Sequence, residues 1–179
     1  MSDAAQMQAI DVIRDKLPET AKDLKLNLQA VLRPEKLSKE QTWGTALASA
    51  CFVRCDELRD AVLAGARADD VGEDVIEDAQ AAAALMAMNT TYYRFRHLVE
   101  SEAYSQRPAR LRMSRMAQPA TNKADFELFA LACAALSGCQ MCVKAHEASI
   151  KKHGLSEDHV HDAVRIASVV NGIAVALAL

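Results

Sequence analysis

The sequence predicts an all-α domain, and three observations carry that prediction. The chain of 179 residues holds only 6 glycines and 4 prolines, while alanine, a strong helix former, recurs throughout. Its apolar residues fall at helical spacing in successive segments. Aromatic residues make up 4% of the chain, too few for the usual composition of a sheet protein or for base-stacking surfaces. The balance of 51% hydrophobic and 25% charged residues fits one globular domain and excludes wholesale disorder. A net charge of −3 gives no basic excess to draw nucleic acid or an acidic membrane. The start, Met1-Ser2-Asp3-Ala4-Ala5, lacks the basic-then-apolar pattern of a secretory signal. No apolar run approaches the ~18 to 20 residues that span a bilayer. The expectation is a cytoplasmic protein without a membrane or nucleic-acid partner.

The elements follow in order. Met7, Ile10, Ile13 and Leu17 set a first helix over about 4–17, which Pro18 ends. Leu24, Leu28, Val31 and Leu32 set a second over about 19–32, before Pro34. Together they form an N-terminal helical arm, about 1–36. Ser38 followed by Gln41 is a capping box, so a helix starts near Lys39 and runs through Trp43, Leu47 and Ala50 to about Val53. Another covers about 56–66, and a long helix follows Gly72 over about 73–101. In that helix Met86 and Met88 read as core filling. These helices make a first unit, about 38–101.

Residues 102–121, with Pro108 and Pro119, read as a loop. Its Arg107, Arg110, Arg112 and Arg115 read as solvated or subunit-interface arginines, or as a docking surface for an acidic partner. Thr121 or Asn122 caps a helix over about 123–136, which Ser137-Gly138 interrupts. The next runs from about Cys139 to His153, with Gly154 after Lys151-Lys152-His153 as its stop. Ser156 caps a last helix to about Asn171, completing a second unit, about 121–179. Gln41 to Ala50 and Glu127 to Leu136 echo each other, and that register places Trp43 on Phe129.

The chemistry concentrates in Gly138-Cys139-Gln140-Met141-Cys142, with His146 beyond. Cys139 and Cys142 lie about one helical turn apart, a spacing that permits a disulfide. Gly138 lets the chain turn sharply, so the free N–H groups and positive end of the following helix face the sulfurs. A thiolate is stabilised there. His146 lies on the same face as both cysteines and can take or return a thiol proton. Glu127 stands among Phe126, Leu128, Phe129 and Leu131, either on a wet stripe or with a partner. If the two helices fold back across Gly138, it can orient His146. A lone CxxC in a cytosolic protein points first to redox chemistry, then to an inert pair or metal ligation. Zinc usually asks for four ligands, and no second CxxC is present. Cys51 and Cys55 read as small hydrophobes in an Ala-rich helix. His153, His159 and His161 lie at helix ends.

Over nearly its whole length the chain resembles the AhpD-type alkylhydroperoxidases of the carboxymuconolactone-decarboxylase-like superfamily. The residues that carry the resemblance are Asp23 to Leu28, Trp43-Gly44-Thr45 with Leu47 to Ala50, Met88-Asn89 with Tyr93-Arg94, and Phe126-Glu127-Leu128. The last are Gly138-Cys139 with Cys142 and Ala145-His146-Glu147. The resemblance implies an all-α AhpD-like fold with a duplicated helical unit, assembled as a homotrimer or higher homo-oligomer. It implies an oxidoreductase with no bound cofactor: a thiol peroxidase that reduces organic hydroperoxides, regenerates the peroxiredoxin AhpC, or both. Its electrons come from a dihydrolipoamide-type dithiol on a lipoylated 2-oxo acid dehydrogenase subunit, served by dihydrolipoamide dehydrogenase. Cys142 is then the nucleophile that becomes a sulfenic acid, Cys139 the resolving thiol and proton donor, and Glu127 with His146 the proton relay. Helix-dipole physics alone favours Cys139 as the more acidic thiol; His146 one turn from Cys142 agrees with the family's assignment. The family pattern often has histidine where this chain has Met141, so activation here rests on Glu127 and His146. The competing readings are a carboxymuconolactone-decarboxylase-like enzyme, which needs no cysteine pair, and a non-catalytic helical oligomer with a structural metal.

Overall fold

The computed structural model describes residues 3–179, with side chains from residue 8 onward, so the reading of Met7 as core lies outside the described residues. Among the described residues there are helices and no strands. Helices α1 (Asp3–Lys16) and α2 (Lys22–Val31) form the N-terminal arm, with a 3₁₀ turn at Glu19–Ala21 where one continuous second helix was expected. The arm folds back onto the body: α1 packs on α4 (Asp56–Ala68) and α2 on α10 (Glu157–Ala176). Ile10, Ile13, Leu17, Leu28 and Val31 are buried by this packing.

The centre is built from α3 (Lys39–Val53), α5 (Glu73–Val99), α8 (Lys123–Ser137) and α10, with α9 (Gln140–Lys152) against α8 and α5. Thr42 to Ala50 and Phe126 to Ala134 are buried without a break, so α3 and α8 are surrounded on all sides. The Ala-rich sequence explains how: small side chains let neighbouring helices approach closely. Gly44 goes further, since a Cβ there would overlap the Phe129 ring. Gly44→Ala is therefore expected to lose about 1 to 3 kcal/mol by overpacking. That exceeds the gain of about 1 kcal/mol from better helix propensity. A lower urea midpoint with an unchanged slope would show it; a higher midpoint would mean that Phe129 moves freely aside.

Capping is local and matches the chain's chemistry. Ser38 Oγ accepts from the Gln41 N–H at 3.2 Å while Gln41 Oε1 accepts from the Ser38 N–H at 3.1 Å. Asn122 Oδ1 accepts from the Asp125 N–H at 2.9 Å and so starts α8. The last helix runs five residues past the expected stop at Asn171, to Ala176. Gly172 does not break it; the missing side chain makes room for Leu24 of α2. The segment expected as a loop contains two single-turn helices, α6 (Glu102–Ser105) and α7 (Ser114–Ala117).

The run α3, α4, α5 matches the run α8, α9, α10 joint for joint. Gln41 of α3 and Asp125 of α8 are 84 positions apart and hydrogen-bond each other at 2.7 Å. The same offset relates Arg54 to Gly138 and Asp70 to Gly154, all four at positive φ. It also relates Cys55 to Cys139, the N-caps of α4 and α9. The register read from composition was thus two residues out: Trp43 matches Glu127, not Phe129. The error is natural, because alanine-rich helices offer little to fix a register and the joints that do fix it are conformational.

Candidate active site

Gly138 ends α8 in the left-handed conformation, φ 68°, where glycine avoids a steric penalty. The chain reverses there and α9 lies against α8. Arg94 of α5 donates from Nη1 to the Ser137 carbonyl at 2.6 Å and holds the joint from outside. Cys139 is the N-cap of α9, and its Sγ accepts from the Cys142 N–H at 3.4 Å. Both cysteines therefore sit at the positive end of the helix, which favours negative charge on sulfur when the pair is reduced.

Cys139 and Cys142 are joined as a disulfide, with Cα atoms 5.3 Å apart. They are not equally accessible. Cys139 is 0% exposed and Cys142 6%. Only Cys142 of the two lines a cavity of about 290 Å³, with Asn89, Tyr93, Met113, Met116, Met141, Ala145 and His146. Apart from Asn89 and His146 the walls are apolar or aromatic.

Reversal at Gly138 brings Glu127 of α8 beside His146 of α9, with Oε2 and Nδ1 2.5 Å apart. Lys123, one turn before Glu127, places Nζ 2.7 Å from the other carboxylate oxygen. Burial alone would raise the Glu127 carboxyl, but the hydrogen bonds from His146 and Lys123 outweigh it and hold the group below the ordinary carboxylate range. An ionised Glu127 needs Nδ1 of His146 as a donor, which leaves Nε2 as the basic nitrogen of the neutral ring. His146 lines the cavity that holds Cys142 and also a second, more open one of about 580 Å³ with Lys123, Lys152 and His153. The imidazole thus stands between the sulfur's cavity and a more open one that Lys123, Glu127 and Lys152 also line.

The carboxymuconolactone decarboxylase family model matches residues 102–179, which include Glu127, Cys139, Cys142 and His146. Over 173 residues the chain is 58% identical to the alkyl hydroperoxide reductase AhpD of Anaeromyxobacter dehalogenans strain 2CP-C, covering 97% of this chain and 92% of that protein. It is 46% identical over 170 residues to the AhpD of Maricaulis maris, covering 95% and 98%. The AhpD of Rhodospirillum centenum is 41% identical over 169 residues, covering 94% and 90%. The chain belongs to the AhpD family.

Several features of this AhpD site lie outside what the sequence analysis singled out as functional. Lys123 Nζ also donates to the Met116 carbonyl at 2.6 Å, so one ammonium ties the carboxylate to the cavity wall. A lysine one turn before the candidate Glu127 on a helix was a readable signal. Arg115 keeps about a third of its side chain exposed but is already paired: Nε donates to Asp78 at 2.7 Å and Nη2 to Glu77 at 3.2 Å. Asp78 is wholly buried and also accepts from the N–H groups of Ala120 and Thr121 and from the Thr121 hydroxyl. Burial pushes its carboxyl up, and these donors together bring it below the ordinary range. This brace fixes residues 115–121 on α5 and so sets the wall that carries Met116.

Cys51, Cys133, His153 and His159 do not line the Cys142 cavity. Cys133 is fully buried, donates to the Ala48 carbonyl at 3.7 Å, and burial pushes its thiol up. Cys51 is likewise raised, by burial first, with Arg59 opposing. His153 donates from Nδ1 to the Ser149 carbonyl at 2.7 Å, and His159 Nδ1 accepts from the Ser156 N–H at 3.2 Å, both at helix ends.

Proposed function

We propose that this protein is a cytoplasmic, cofactor-free thiol peroxidase that reduces organic hydroperoxides and regenerates a partner peroxiredoxin, AhpC. The observation that carries the reading is a disulfide-forming pair with one sulfur in an apolar cavity beside a carboxylate–imidazole pair. The name alkyl hydroperoxide reductase borne by the relatives supports it.

In the reduced enzyme His146 Nε2 takes the proton of Cys142, and Glu127 stabilises the resulting imidazolium. The Cys142 thiolate attacks the terminal oxygen of R–O–OH. The S–O bond forms and the O–O bond breaks, giving Cys142–SOH and an alkoxide that takes the proton from His146. Cys139 then attacks the sulfenic sulfur, water leaves, and the disulfide closes. A dihydrolipoamide-type dithiol, carried by a lipoylated dehydrogenase subunit and recharged by its flavoprotein, reopens the disulfide by exchange. The exposed end of α5, with Phe95, Leu98 and Val99, supplies an apolar face for the homotrimer or higher homo-oligomer that the family resemblance implies.

The test is a count of free thiols by mass after alkylation. One equivalent of cumene hydroperoxide should remove two thiols from the reduced protein, map them to Cys139 and Cys142, and leave Cys51, Cys55 and Cys133 alkylated. Dihydrolipoamide should restore both. Loss of no thiol with hydroperoxide, but of two with oxidised AhpC, would leave a disulfide reductase rather than a peroxidase. Activity that survives alkylation would favour a decarboxylase-type enzyme.

A further inference from the structure

We infer that Asn89 is the polar anchor of the Cys142 cavity and accepts the hydrogen bond of the hydroperoxide O–H. The inference rests on the peroxidase reading above and adds a substrate-binding residue to it.

Asn89 is 4% exposed and lines the cavity with Cys142 and His146. Its Oδ1 is buried and has no hydrogen-bond partner among the described residues. A buried amide oxygen without a donor destabilises the fold, so its presence calls for an explanation. The other half of the molecule shows that the fold does not need it. At the offset of 84 that relates the two runs, the position matching Asn89 is Ile173, wholly buried in α10. The same place in the helix therefore accepts a branched aliphatic side chain. An amide stands only where the packed neighbour, α9, carries the reactive sulfur.

The remaining walls decide what kind of group brings the donor. Tyr93, Met113, Met116, Met141 and Ala145 offer aromatic, thioether and methyl surfaces to an apolar tail. An alkyl hydroperoxide has both parts: a hydrocarbon group and one terminal O–H. With that O–H donated to Asn89, the terminal oxygen is held at the sulfur with its alkyl side toward the methionines. The hydrogen stays on the transferred oxygen when the O–O bond breaks. Asn89 then accepts from the sulfenic acid hydroxyl, so the same bond serves substrate and intermediate. A lipoyl dithiol attacking the closed disulfide brings no such hydroxyl, so that half-reaction does not use this hydrogen bond.

The test is Asn89→Leu, which fills the volume and removes the acceptor, with Asn89→Ala as a second variant that cannot overpack. The expected result for both is a fall of about tenfold or more in kcat/KM for cumene hydroperoxide, the factor that one lost hydrogen bond supplies. Reduction of the disulfide by dihydrolipoamide should fall less than peroxide turnover, so the ratio of the two rates drops by severalfold, roughly the share one hydrogen bond supplies. The melting temperature of Asn89→Leu should match or exceed the native one. Unchanged peroxidase kinetics in both variants would overturn the assignment, as would an equal loss in both half-reactions with a lowered melting temperature. Native protein that exchanges disulfides but turns over no hydroperoxide would remove the peroxidase reading and this inference with it. Native turnover matched by both variants would remove the assignment of Asn89 alone.

Discussion

Cys142→Ser is expected to abolish hydroperoxide turnover, by at least about a thousandfold. Serine keeps the size and the hydrogen bond from its own N–H to the neighbouring sulfur. What it loses is a sulfur nucleophile that can form an S–O bond. Cys139→Ser should behave differently. The buried Cys139 does not line the cavity, so that variant should still consume one equivalent of peroxide and stop at the sulfenic acid, which dimedone would trap on Cys142. A dimedone adduct on Cys139 in the Cys142→Ser protein would reverse the two roles.

The second large effect is Glu127→Gln, and it should appear twice. In catalysis it removes the charge that stabilises the His146 imidazolium and, by its position, the preferred tautomer. A loss of about a hundredfold in kcat/KM for hydroperoxide is the size such a change commonly carries. In stability it leaves Lys123 and His146 beside a neutral amide. Breaking a buried ion pair costs about 3 to 5 kcal/mol; because Lys123 is a third exposed, about 2 to 4 kcal/mol is expected. The two effects separate by pH. The Glu127 carboxyl ionises below its ordinary range in the folded protein, so its contribution is complete above the unfolded value of about 4.3. It fades as pH falls through the lower, folded value. The stability gap between native and Glu127→Gln protein should therefore be widest at neutral pH and close on acidification. Parallel stability curves from pH 7 to pH 3 would show that Glu127 is not the held anion described here.

What could be read from the residues was whatever a single helix or its cap encodes. The capping box at Ser38, a cap at Thr121 or Asn122, the sharp turn at Gly138, and the shared face of Cys139, Cys142 and His146 are all local. Glu127 was reachable because its helix joins that of His146 through one glycine. The cavity was not reachable, because its walls come from α5, the segment before α8, and α9. Asp78 and Arg115 are 37 positions apart, and no periodicity links them. Asn89 stood in view as part of a familial motif, yet its meaning depends on what fails to bond with it, which only the packed molecule reveals.

The matched runs also hold a comparison between chemistry and inertness within one chain. Where the second run carries Glu127, Cys142 and His146, the first carries Trp43, Leu58 and Val62, all buried to a similar degree. One run is thus an aliphatic and aromatic brace, while the other carries groups that cores usually reject. Replacing Glu127, Cys142 and His146 by the apolar residues of the first run should raise thermal stability as it fills the reactive pocket with hydrocarbon. The steadiness of this small protein and its usefulness thus pull on the same few positions, and the silent half marks where the pull would end.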